Sequence, residues 1–167
     1  MKLLVMSDSH GVKKEVTEVK MRHQEVEHVI HCGDSELSTD APELKGVLAV
    51  KGNCDIGDFP EERVEQLGDL TVFVAHGHLY NIKMSLASLT YRAEEAGANV
   101  AFFGHSHQAG VLEENGVVYV NPGSLLLPRG YPVASYAIVE AENNKVLSVS
   151  FYEQGSGKEI TELSRKF

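Results

Sequence analysis

Four histidines, two aspartates and an asparagine stand out by where they fall in the chain: Asp8, His10, Asp34, Asn53, His76, His105 and His107. Each follows directly on an apolar run of strand length, namely Lys2–Met6, His28–Cys32, Val47–Val50, Leu70–Ala75 and Val100–Gly104. Glycines adjoin these residues (Gly33, Gly52, Gly77, Gly104), which lets the backbone turn sharply and approach a bound ion. In open α/β sheets the carboxyl ends of strands gather along one edge where ligands bind. Residues scattered from position 8 to position 107 are therefore expected to converge. Their mixed nitrogen and oxygen donors, with no thiolate required, suit Mn, Fe, Zn or similar ions more than Ca or Mg. A single tetrahedral ion needs only about four protein ligands. Seven point to two cations sharing one ligand, and a carboxylate, here Asp34, is the natural bridge at the roughly 3.5–4 Å separation of two-metal sites.

The elements that must hold this set read from the same pattern. After the first strand, Val12, Val16 and Val19 recur at helical spacing, and the two following strands make the first half a βαβ arrangement with a parallel sheet. Arg63–Leu67 and Leu70–Ala75 flank a two-residue Gly68-Asp69 turn. A helix with Leu86, Leu89, Ala93 and Ala96 on one face ends at Gly97. Two hairpins follow, Val111–Glu114 with Val117–Val120 around Asn115-Gly116, and Tyr136–Glu140 with Val146–Tyr152 around Asn143-Asn144. Residues from Gln154 onward are polar and expected to be loosely ordered.

The chain has 167 residues, 43% hydrophobic and 23% charged, which suits one domain, 1–167, with a sizeable core. No apolar run approaches the roughly 20 residues of a membrane span, and Met1–Val5 reads as a strand rather than a signal peptide. Two cysteines, Cys32 and Cys54, make no disulfide framework, which fits a cytoplasmic setting. The net charge of −9 and the lack of a Lys/Arg stripe argue against nucleic acid as a partner. The same charge repels an anionic ligand, so bound cations are needed to attract one. Two-fold assembly is the commonest in soluble oligomers, and a homodimer is the expectation.

In order along the chain, Asp8-x-His10, Gly33-Asp34, Gly52-Asn53, His76-Gly77 and Gly104-His105-x-His107 resemble the motifs of the calcineurin-like metallophosphoesterases. Gly52-Asn53-Cys54-Asp55 and Val120-Asn121-Pro122-Gly123-Ser124 are similar to the small branch of bacterial and archaeal phosphodiesterases that also contains the retromer subunit Vps29. The resemblance implies an α/β fold, a sandwich of two mixed β-sheets flanked by helices. It implies one ion on Asp8, His10, Asp34 and His107 and a second on Asp34, Asn53, His76 and His105. Many relatives carry histidine after the asparagine as a phosphate contact and general acid; here that position is Cys54.

The activity so implied is hydrolysis of phosphate esters, foremost small phosphodiesters, by a hydroxide bridging two divalent cations, with Mn favoured and Fe, Ni, Co and Zn open. Asn53, Cys54 and His78 are the residues placed to assist, by a hydrogen bond to phosphate or by proton transfer. The alternatives are a non-catalytic scaffold of the Vps29 kind, and a nuclease or phosphomonoesterase on the same site. His23, His28 and His31 lack the ligand placement and read as structural or solvated, Cys32 as a buried apolar residue, and Arg129 as a surface ion pair.

Overall fold

The computed structural model describes all 167 residues, Met1–Phe167. A six-stranded sheet is ordered β11-β10-β9-β1-β2-β3, from Arg165–Lys166 (β11), Lys145–Glu153 (β10), Ser135–Glu142 (β9), Lys2–Met6 (β1), His28–His31 (β2) and Val47–Ala49 (β3). A five-stranded sheet is ordered β4-β5-β6-β8-β7, from Glu62–Leu67 (β4), Leu70–Ala75 (β5), Val100–Phe102 (β6), Val117–Asn121 (β8) and Gly110–Glu114 (β7). Two helices, Lys14–Arg22 (α1) and Ala87–Glu95 (α2), lie one on each outer face.

The strands show why the two sheets stack. Side chains alternate across a strand, and in β1 Leu3 and Val5 face the space between the sheets while Leu4 and Met6 meet α1 through Val16 and Val19. In β5 Val72 and Val74 face inward, whereas Phe73 and Ala75 face α2 through Leu89 and Ala93. Both faces of the central strands are buried, so they read as continuous apolar runs. Each such side chain contributes roughly 1.5–3 kcal/mol through removal from water.

The turns follow the predicted chemistry. Asn143 and Asn144 both have positive φ, as do Asn115 and Gly116, which is the type I′ geometry that matches strand twist. The tail differs from the expectation of loose order. Ile160 is buried in the inter-sheet core, Leu163 packs beside it, and β11 pairs with β10. Two apolar residues and the β11 pairing anchor a segment whose composition is otherwise polar. The first helix begins at Lys14, so Val12 lies before it.

β1, β2 and β3 run parallel, as do β5, β6 and β8. The carboxyl ends of β1, β2, β3, β5 and β6 therefore emerge at a common edge of the sandwich. Backbone bonds tie the emerging loops together: Asp8 N donates to Gly33 O (3.0 Å) and Gly104 N to His76 O (3.0 Å).

Candidate metal centre

At that edge the five loops bring all seven predicted ligands together. The Asp8 Oδ1 oxygen is buried and has no hydrogen-bond donor. Around it stand His107 Nε2 at 3.2 Å, His10 Nε2 at 3.7 Å and His76 Nε2 at 3.7 Å. Asp34 Oδ2 lies 3.2 Å from His76 Nε2, and Asn53 Oδ1 lies 3.1 Å from the same nitrogen. The His105 ring packs 5.1 Å, centre to centre, from that of His76. Three groups have donor atoms mutually close enough for one ion: Asp8 with His10 and His107, Asp8 with Asp34 and His76, and, at the exposed margin, His10 with Glu36 and Cys54.

The imidazoles are oriented from behind. His76 Nδ1 donates to Cys32 O (2.8 Å), His107 Nδ1 to Leu127 O (2.7 Å), and His10 Nδ1 faces Glu36 Oε1 (2.6 Å). With the proton held on Nδ1, the Nε2 lone pairs point at the centre, as metal-ligating histidines require. His10 Nε2 and His107 Nε2 then face each other at 3.3 Å, an arrangement that repels unless a cation lies between them. The unpartnered carboxylate oxygen and the converging lone pairs fit divalent ions.

The charge balance follows the same geometry. Burial works against its charge, yet the neighbouring His107 and His76 and the bond from Ser7 hold the Asp8 carboxyl below its ordinary value, and His76 and Cys54 N hold Asp34 well below, also against burial. Burial opposes the charged form of His76, yet Asp34 and Asp8 raise its pKa, and Asp8 does the same for His107. Burial, with charge from His76 and Lys83, pushes His105 down to about 4.

The local backbone is unusual. Asp8, His10, Asp34, His105 and His107 all have positive φ, a left-handed conformation that costs a non-glycine residue roughly 1–2 kcal/mol. Such residues persist only where surrounding contacts over-determine them, and they cluster at functional sites. Two glycines are fixed by crowding: a Cβ on Gly52 would collide with the Asp34 carboxylate, and one on Gly104 with Ser7 Oγ and the Asp8 carboxylate.

Residues 1–144 match the calcineurin-like phosphoesterase superfamily domain. The chain belongs to this superfamily. The probable metallophosphoesterase YsnB of Bacillus subtilis is 47% identical over 168 residues, covering 99% of this chain and 98% of that protein. The phosphodiesterase MJ0936 of Methanocaldococcus jannaschii is 29% identical over 147 residues, covering 74% and 83%. Among solved structures, a predicted phosphoesterase of Streptococcus pneumoniae superposes with a TM-score of 0.93 at 37% identity, covering 99% and 96%. Vacuolar protein sorting 29 of Cryptosporidium parvum shares the fold, with a TM-score of 0.79 at 23% identity, covering 95% and 93%. No helix of this calcineurin-like phosphoesterase is long and apolar enough to cross a membrane.

Several residues support the site in ways the sequence did not assign, although Asp55 and Ser124 lie in the two motifs shared with the small branch. Asp55 is buried, and its carboxylate accepts from Asp34 N (2.8 Å), Glu36 N (2.8 Å) and Gly52 N (2.7 Å), clamping two ligand loops. Glu36 orients His10 from a loop where nothing in the spacing marks it. Ser7 Oγ (2.5 Å) and His105 N (3.1 Å) donate to Asp8 Oδ2, and Ser124 Oγ donates to Asp8 O (2.7 Å). The Asn121–Ser124 segment thus braces the ligand loops. Buried His31 bonds Ser9 Oγ (2.8 Å) and receives Gly33 N (3.1 Å), a structural role.

Cys54 is exposed beside the centre, its backbone N donates to Asp34 Oδ1 (2.8 Å), and burial with the charge of Asp34 raises its thiol pKa. The His78 ring lies 5.3 Å from that of His76, and burial lowers its pKa. Arg129 forms no ion pair, contrary to expectation; the backbone bond from its N to His107 O (2.9 Å) places it near the metal centre.

Proposed function

We propose that this chain, as one domain over residues 1–167, is a phosphodiesterase that hydrolyses small phosphodiesters with two divalent cations, Mn²⁺ foremost, in a cytoplasmic setting. The observation that carries this reading is the convergence of three imidazole Nε2 atoms on the donor-free Asp8 Oδ1. Asp8, His10, Asp34 and His107 would hold one ion and Asp34, Asn53, His76 and His105 the other. Asp34 is preferred as the shared carboxylate because Asp8 Oδ2 already accepts two hydrogen bonds, whereas Asp34 Oδ1 accepts only that from Cys54 N. Divalent ions held by these residues would lower the pKa of water near neutral pH and offset charge on the phosphoryl oxygens.

The residues of the chain do the rest. Asp8 and Asp34 concentrate negative charge, which selects cations. The buried His76 is oriented by Cys32 O without solvent competition, and the His105 ring packs against it. Asn53 presents its amide oxygen to the centre, leaving its NH₂ on the Cys54 side, where a phosphoryl oxygen can be bound. The raised thiol of Cys54 and the lowered His78 are both weak proton donors near pH 7, so esters with good leaving groups are turned over fastest.

The scaffold alternative is disfavoured because no ligand is missing and His10, His76 and His107 each have an orienting partner. The test is removal of metal: chelation is expected to abolish hydrolysis of an activated aryl phosphodiester, and Mn²⁺ to restore it. Full activity of metal-free protein overturns the mechanism, and no turnover with any divalent ion favours the scaffold.

A further inference from the structure

A cavity of about 490 Å³ shares a wall with the metal centre. The loop Gly104–Gln108 separates them: His105 and His107 turn into the centre, while Ser106 and Gln108 line the cavity. Its lining is mixed, with an apolar part formed by Ile82, Leu86, Phe103, Leu112 and Tyr119 and a polar part by Ser106, Gln108 and Asn121. Phe103 and Tyr119 are anchored in the outer core of the five-stranded sheet, and Asn121, which bonds Gly104 O (3.2 Å) and Ser106 Oγ (3.0 Å), fixes the dividing loop. The cavity is thus built on rigid elements, and its volume lies in the range of small-molecule sites.

The only charged side chains on its wall are Lys83 and Arg129, both cationic in a chain of net charge −9. Neither forms an ion pair within the protein. Both line the cavity, and Arg129 is tied to the dividing loop by the bond from its backbone N to His107 O (2.9 Å). Two free cations on this wall complement a phosphate, and the apolar aromatic part of the lining complements a ring.

Resting on the phosphodiesterase reading, we propose that this cavity receives an aromatic ester group of the substrate while Lys83 and Arg129 attend the phosphate, so that the enzyme selects diesters carrying an aromatic ring. The assignment is continuous with the centre through one loop. It explains why a partly apolar cavity opens beside a site whose ligands are all polar.

Gly110 offers a way to fill the cavity. It pairs with Asn121 in β7 and shares a face with Leu112, which pairs with Tyr119. A Cβ on Gly110 meets nothing within 4 Å, and its φ is not positive, so Gly110→Leu fits the backbone and projects into the cavity. The probes are methylphosphonate and 2-naphthylmethylphosphonate, which carry the same anionic head for the metals and differ in the ring. Their Kd values are measured by calorimetry on Mn²⁺-loaded protein.

The naphthylmethyl compound is expected to bind the wild type at least about tenfold more tightly, and Gly110→Leu to erase most of that preference. Leu86→Trp, which fills the cavity from its margin, is measured in parallel and decides the matter should Gly110→Leu fail to fold. Equal affinities in the wild type, or a preference unchanged in the folded variants, overturns the assignment. Failure of both phosphonates to bind while an aryl diester is still hydrolysed overturns the cavity alone. Absence of Mn²⁺-dependent hydrolysis overturns the phosphodiesterase reading instead.

Discussion

Asp55→Asn probes how the ligand loops are held, because it keeps size and shape and removes only charge and one acceptor. The carboxylate takes three backbone N–H groups, two on Oδ2 from Asp34 and Gly52 and one on Oδ1 from Glu36. Hydrogen bonds to a charged group contribute about 1.5–3 kcal/mol each, and neutral ones about half that. An asparagine can keep its oxygen toward the Asp34 and Gly52 pair, which weakens two bonds, but its NH₂ then faces the Glu36 N–H and loses the third. With relaxation of the partly exposed Glu36 segment, the net cost is about 2–4 kcal/mol. For a chain of this size that corresponds to roughly 6–12 °C in Tm. Because the clamp joins the Asp34 and Asn53 loops, Mn²⁺ affinity should also fall by about 10–100-fold, the usual effect of losing a group that orients ligands. Thermal unfolding followed by circular dichroism and Mn²⁺ titration by calorimetry measure both effects. A Tm within about 2 °C of wild type together with an Mn²⁺ Kd within about twofold would refute the clamp.

His76→Ala and Asp34→Asn should each lower turnover by at least roughly a hundredfold with loss of bound metal, whereas His23→Ala, which removes a bond to the Tyr136 hydroxyl, should change turnover little; equal effects would mean the wrong histidines were chosen. Cys54→Ala should slow aryl and alkyl diesters by similar small factors, since its raised pKa makes the thiol a poor acid; a loss at least roughly tenfold greater for the alkyl diester would assign the leaving-group proton to Cys54. In metal-free protein the raised pKa values of His76 and His107 contribute stability that is present below their unfolded value of about 6.5 and lost as pH rises through the folded values. The lowered Asp8 and Asp34 stay ionised throughout that range, and His31 and His105, both near 4, are already neutral, so Tm of chelated protein should fall as pH rises above about 6.5. Mn²⁺ should reverse the slope, because fewer protons then compete for the ligands; a Tm that rises over that window without metal would contradict this.

The candidate ligands could be picked out because their signal is local. Apolar runs of strand length end abruptly at Asp8, Asp34, Asn53, His76 and His105, and a parallel arrangement sends such ends to one edge whatever the details of packing. The hairpins were legible for the same reason, since Asn-Gly and Asn-Asn pairs carry their turn geometry with them. The tail was misread because only Ile160 and Leu163 anchor it, too few to register against a polar composition. Tertiary structure alone decided the support of the site. Asp55 and Ser124 lie in recognisable motifs, but what they do there depends on bonds to backbone atoms of separate loops, and Glu36 likewise meets His10 across loops; residue type and spacing do not record such a partner. The positive φ of Asp8, His10, Asp34, His105 and His107 is likewise imposed from outside, because those side chains favour other conformations and adopt this one only where the sandwich edge holds them. The cavity behind Gly104–Gln108 belongs to the same class: its walls come from loops and strands between Ile82 and Arg129, and a cavity is a property of where packing stops, which no single stretch of chain encodes.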